Sequence, residues 1–148
     1  MNVITIDRLD FTDLQGLKEL YENAFDGSTT DYNKMVDSYN QIKDNSNYVV
    51  LCAKIEDKIV GSVLGVICNE LFGQCNPFMV LEDVAVMNSY RRLGIAKQLM
   101  VKIEEYARAA KCSMILFVSS GHRTGAHKLY ESIGYGVDNV NGYRKRLN

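Results

Sequence analysis

The sequence predicts an α/β fold, one mixed sheet flanked by helices. Three observations lead there. Apolar runs of strand length at 48–55, 59–68 and 80–87 are bounded by turn residues. Stretches at 14–24, 32–42 and 96–110 carry apolar residues at helical spacing. Between the strand at 80–87 and the helix after it lies Arg91-Arg92-Leu93-Gly94-Ile95-Ala96, a basic, glycine-containing helix entrance of the kind that holds phosphate.

Each element follows from its residues. Alternating apolar residues from the N-terminus through about Asp7 read as a first strand. The run from Thr12 to Gln15 reads as a capping box. It opens a helix whose apolar face is Leu14, Leu17, Leu20, Tyr21 and Ala24. A polar turn at 26–30 precedes a second helix with Tyr32, Met35, Val36, Tyr39 and Ile42 on one face. Glu56-Asp57-Lys58 turns the strand at 48–55 into the strand at 59–68. An irregular loop follows at 70–78, with Gly73, Asn76 and the chain's single proline, Pro77. The helix from Ala96 to about Ala110 has Leu99, Met100, Ile103 and Ala107 on its core stripe. A short strand at 114–118 leads to a helix at 124–133, with Ala126, Leu129, Tyr130 and Ile133 inward and Gly134 as its cap. The segments 135–137 and 142–147 are expected to close as a final hairpin. The expected order is βααβββαβαββ.

At 148 residues the chain has the length of one domain with a real core. A formal net charge of −1 argues against general nucleic-acid binding, which needs a basic footprint. No apolar run reaches membrane-spanning length, and the first residues lack the basic start of a secretory signal. Cys52, Cys68, Cys75 and Cys112 show no C-x-x-C spacing. Free thiols in a reducing cytoplasm are therefore expected rather than a zinc site. His122 and His127 are five apart, on different helix faces, so no H-x-x-x-H metal pair forms.

The turn carries the clearest chemistry. Amides at a helix start have no intrahelical partner and point into one spot, where the helix dipole also favours an anion. Gly94 and Ala96 let a bulky group approach the backbone. Arg91 and Arg92 add donors suited to a diphosphate. There is no G-x-x-x-x-G-K-[ST] and no G-x-G-x-x-G, so neither a P-loop nor a dinucleotide fingerprint is present. Taken alone, the hexapeptide reads equally as a solvated loop with a cap.

The element order with this turn in this place resembles the GNAT superfamily of acetyl-CoA-dependent N-acetyltransferases. Arg91, Gly94 and Ala96 match its Q/R-x-x-G-x-G/A pattern. A second signature, an Ala followed four residues later by Tyr and then a Gly-aromatic pair, is matched by Ala126, Tyr130, Gly134 and Tyr135. The resemblance is in register over about 81–135. It implies the acyl-CoA N-acyltransferase architecture, with acetyl-CoA as co-substrate and a V-shaped opening between the fourth and fifth strands. Backbone of Val84, Ala85 and Val86 would bond the pantetheine arm like another strand. Amides of Arg92, Leu93, Gly94, Ile95 and Ala96 would hold the pyrophosphate. Many relatives have Asn where this chain has Arg123. The run at 120–127 is similar instead to the H/K-R-x-x-A-H run of the aminoalkylphosphonate N-acetyltransferases. The resemblance is also compatible with a homodimer.

Direct acetyl transfer needs a deprotonated amine, a polarised thioester and a proton for the CoA thiolate. Tyr130, at the family's tyrosine position, is the candidate acid; its phenol is protonated at neutral pH. On its own the residue reads equally as core. Relatives place Glu where this chain has Val80, so the usual carboxylate is absent. Strand parity suggests Glu82, which shares a face with Val80 and Val84 in a regular strand, as the substitute base. Asp83 is next, and either carboxylate could bind the substrate ammonium while a water relays the proton. His122 and Arg123 at the last helix entrance suit an anionic acceptor group such as phosphonate or carboxylate. The expected activity is acetylation of a small primary amine. A peptide or protein N-acetyltransferase and a non-catalytic acyl-CoA-binding module are the rivals.

Overall fold

A computed structural model describes residues 3–148. The expected strand residues Met1 and Asn2 lie outside that range. Five strands form one sheet in the order β1-β2-β3-β4-β5, with β1 Thr5–Arg8, β2 Tyr48–Ile55, β3 Lys58–Cys68, β4 Phe78–Val86 and β5 Ile115–Leu116. The first four are antiparallel neighbours, and β5 runs parallel to β4. The helices are α1 Leu14–Ala24, α2 Tyr32–Ile42, α3 Ile95–Ala109 and α4 Thr124–Ser132.

Each sheet face has its own core. Ile95, Leu99, Met100, Ile103 and Ala107 of α3 pack on Val49, Leu51, Val60, Val63, Met79 and Leu81. On the opposite face Leu17, Leu20 and Ala24 of α1 meet Cys52, Ile59, Ala85 and Met87. Each fully buried aliphatic side chain contributes about 1.5–3 kcal/mol. Gly61 and Gly65 of β3 let α3 lie close. A Cβ on Gly61 would stand 2.8 Å from Ile95 Cγ2, and one on Gly65 3.1 Å from Ile103 Cδ1.

Three expectations are corrected. The capping box lies two residues earlier than Thr12. The Asp10 side chain accepts from Thr12 N at 3.1 Å, and Asp10 N donates to Asp13 Oδ2 at 2.9 Å. Asp caps as well as Thr, and a 3₁₀ turn at Phe11–Asp13 fills the gap before α1. The core stripe of α3 begins at Ile95, which is buried, while Ala96 and Ala110 are half-buried. The final hairpin does not form: among the described residues none after α4 lies in a strand. Gly134 and Gly136 take left-handed conformations there (φ 101° and 81°), and β5 pairs over two residues only. The tail therefore finds no ladder to extend, and Val137, Val140, Tyr143 and Leu147 stay exposed. No helix among the described residues is long and apolar enough to cross a membrane.

Candidate active site

Two features of β4 build the site. The β4–β5 ladder comprises Met79↔Ile115 and Val80↔Leu116, while β4 continues to Val86. Beyond Val80 the β5-facing edge of β4 is therefore outside that ladder, and its backbone groups face a cleft. The second feature is a bulge. Leu64 pairs with Glu82 and Ser62 with Ala85, so Asp83 and Val84 together oppose Val63. Asp83 takes φ 55°, in the left-handed region that a non-glycine residue occupies only at a cost.

The bulge corrects the parity reading. Met79 and Leu81 point into the α3 face, and so do Val84 and Val86, whereas Ala85 and Met87 belong to the α1 face. Alternation slips by one between Leu81 and Val84. Glu82 thus alternates with Leu81 as expected, but it does not share a face with Val84. Glu82 and Asp83 are both exposed residues at the corner of the bulge. Protein packed around the Asp83 carboxyl nevertheless raises its pKa by desolvation.

From Val86 the chain passes through a 3₁₀ turn at Asn88–Tyr90 to the helix entrance. That turn is tied to α1: Asn88 N donates to Asn23 Oδ1 at 2.7 Å and Asn88 Nδ2 to Asn23 O at 3.1 Å. Gly94 caps α3 in the left-handed conformation (φ 79°, ψ 13°), and Arg92 is also left-handed (φ 65°). The first helical bond runs from Gln98 N to Gly94 O at 3.0 Å. The amides of Ile95, Ala96 and Lys97 thus precede it, at the positive end of a 15-residue helix. Arg91, Arg92, Leu93 and Gly94 are exposed around this entrance, and a Cβ on Gly94 would meet nothing within 4 Å. The space over Gly94 is open to a ligand.

Tyr130 sits on α4, half-buried. Its ring meets Phe117 edge-on at 4.8 Å and Tyr135 at 6.4 Å. Burial raises its phenol pKa, countered in part by the positive charge of Arg123. The Arg123 guanidinium itself lies over the Phe25 ring at 5.0 Å, bridging the start of α4 to the end of α1. His122 is exposed, and His127 Nε2 lies 3.2 Å from Ser119 Oγ. The hydroxyl of Tyr135 is buried without a hydrogen-bond partner, and burial with the nearby Glu104 charge pushes its pKa up to about 12.

Tyr21 and Phe25 did not stand out from sequence alone, where Tyr21 reads as one more apolar position of α1. They stack at 5.9 Å, and burial together with the Asp83 carboxylate raises the Tyr21 phenol strongly. A tyrosine at the seam between the apolar stripe and the polar turn at 26–30 was the available signal.

A sheet split at a bulged strand, with an anion-holding helix entrance at the end of that strand, defines an α/β protein built around a phosphate-bearing cofactor arm. The sequence profile described as the Acetyltransferase (GNAT) family matches residues 14–135, and the chain belongs to that family. N-acetylaspartate synthetase of Xenopus tropicalis is 35% identical over 75 residues, covering 51% of this chain and 27% of that protein. Aminoglycoside N(6′)-acetyltransferase type 1 of Salmonella typhimurium is 29% identical over 72 residues, covering 48% of this chain and 50% of that protein. The matched stretches thus span half or less of these curated relatives. Among solved structures, aminoglycoside N-acetyltransferase AAC(6′)-Iy in complex with CoA superposes with a TM-score of 0.80 at 21% identity, covering 99% of this chain and 97% of that one. That likeness is one of fold.

Proposed function

We propose that this protein transfers the acetyl group of acetyl-CoA directly to a primary amine of a small molecule. The observation that carries the reading is the β4 edge beyond Val80, which runs past a bulge straight into the α3 entrance. One strand thus offers backbone groups for an extended arm and delivers it to amides suited to a diphosphate. Val84, Ala85 and Val86 hold the pantetheine. Arg92, Leu93, Gly94, Ile95 and Ala96 hold the pyrophosphate, with Arg91 and Arg92 as counter-charges.

The transfer needs an acid and a base. Tyr130 donates its proton to the departing CoA thiolate; its raised pKa keeps the phenol protonated through neutral pH. Two carboxylates flank the bulge. Glu82 is the base suggested by sequence parity, and Asp83 is the one that the bulge geometry favours. Desolvation raises the Asp83 pKa toward the working range of a general base, and its left-handed backbone is strain of the sort that collects at functional sites. The amine nitrogen attacks the thioester carbonyl carbon, its proton passes to Asp83, the C–S bond breaks, and the thiolate takes the Tyr130 proton.

The aminoglycoside acetyltransferases among the relatives favour a small-molecule amine as acceptor. Arg123 and His122 at the α4 entrance favour one that carries an anionic group. The test is thiol release from acetyl-CoA with a panel of amines: an aminoglycoside bearing a 6′-amine, 2-aminoethylphosphonate, aspartate and a short peptide. Release that depends on a small amine supports the reading. Release with the peptide alone favours a protein acetylator, and CoA binding without release favours a binding module.

A further inference from the structure

The α1 face of the bulge holds a polar group that the acetyl-transfer scheme leaves unused. Tyr21 projects from α1 onto the surface formed by Cys52, Ala85 and Met87. Ser62 of β3 is fully buried there and pairs with Ala85, next to the bulge. Its hydroxyl donates to Leu51 O at 2.9 Å. The Ser62 proton is thereby committed, so its oxygen can only accept from the Tyr21 phenol, with which it interacts. Around the phenol stand Cys52 of β2, Ser62 of β3 and Asp83 of β4. Desolvation raises Tyr21 and Cys52, so both stay neutral. Asp83 is the one carboxylate among them.

A phenol whose proton points at Ser62 turns its lone pairs away from Ser62. We infer that Tyr21 is an amine-binding residue: its oxygen and the Asp83 carboxylate form a pair of acceptors that grips the substrate's primary ammonium at the bulge. The inference rests on the reading of Asp83 given above. A primary ammonium has a donor for each acceptor and one to spare. The same arrangement explains why a tyrosine, and not a leucine, closes the α1 stripe beside a strained aspartate. Phe25, stacked on Tyr21 and covered by Arg123, then fixes the ring from the solvent side.

Ser62 sets the polarity of the pair, which gives the test two independent arms. Tyr21→Phe keeps the ring and removes the acceptor. With the amine that turns over fastest in the panel, its KM should rise about tenfold, as for one lost hydrogen bond to a charged group. The KM for acetyl-CoA and the melting temperature should hold. Ser62→Ala frees the phenol proton to turn toward Asp83. A donor there stabilises the carboxylate, so the alkaline rise of kcat/KM should move to lower pH. This second variant also serves if Tyr21→Phe fails to fold. Asp83→Asn is the companion control. If it leaves the kinetics unchanged, the role of Asp83 falls and the acceptor pair falls with it. If Asp83→Asn is slow, yet Tyr21→Phe keeps the amine KM and Ser62→Ala keeps the pH profile, the inference alone is overturned.

Discussion

Gly94→Val separates what the α3 entrance does for the fold from what it does for the ligand. Gly94 stands at φ 79°, ψ 13°, where an L-residue costs about 1–2 kcal/mol. Nothing lies within 4 Å of an added Cβ, so no protein atom adds a clash. For a chain of this length each kcal/mol lowers Tm by about 2–4 °C, so the variant should melt a few degrees early and remain folded. The ligand pays more. A branched side chain over the entrance keeps a pyrophosphate from the amides of Ile95 and Ala96. Losing two charge-assisted bonds of about 1.5–3 kcal/mol each weakens CoA binding by roughly 10²- to 10⁴-fold. Gly94→Asn is the control, because Asn tolerates the left-handed region better. It should recover most of the Tm and little of the affinity. Calorimetric titration with CoA beside a thermal melt reads both quantities. A folded Gly94→Val protein that binds CoA like wild type removes the entrance from the site.

Four further outcomes are expected. Tyr130→Phe keeps the ring against Phe117 and should lower kcat by roughly 10²-fold with Tm unchanged; a normal kcat makes Tyr130 a packing residue. Asp83→Asn should cost roughly 10–10²-fold in kcat/KM, more than Glu82→Gln does, and the reverse ranking restores Glu82 as the base. Stability should move the other way. A carboxyl whose folded pKa is raised stabilises the fold below its unfolded pKa and loses that contribution as pH rises through the folded value. Asp83→Asn should therefore raise Tm at neutral pH and leave it unchanged in acid, and equal Tm shifts at both pH values would show that the carboxyl's charge is not the cause. Gly61→Val drives a side chain against Ile95 and Leu99; overpacking of about 1–3 kcal/mol should lower both Tm and CoA affinity, and loss of Tm alone would uncouple the first turn of α3 from the ligand.

Periodicity made most of the fold legible. The strand at 48–55 and the stripe of α1 needed only the alternation and spacing of their apolar residues. The α3 entrance was legible because glycine, arginine and the helix start lie together in sequence. The bulge was not. Nothing in Leu-Glu-Asp-Val announces that two residues will oppose Val63, since the slip is set by pairing with β3 and not by local propensity. That slip changed the face of Val84 and brought Asp83 forward. Tyr21, Ser62 and Asp83 come from three elements, so sequence spacing carries no trace of their meeting. The expected C-terminal hairpin rested on alternation alone, and alternation needs an edge that a two-residue β5 does not provide.

The most direct test of the account follows a deuterated acetyl label. The protein is mixed with label-bearing acetyl-CoA and the amine that releases thiol in the panel, and the products are resolved by mass spectrometry. The account predicts the label on the amine nitrogen in equal yield with free CoA, and no labelled protein when the amine is withheld. Label on the protein, or intact acetyl-CoA beside unmodified amine, would contradict direct transfer.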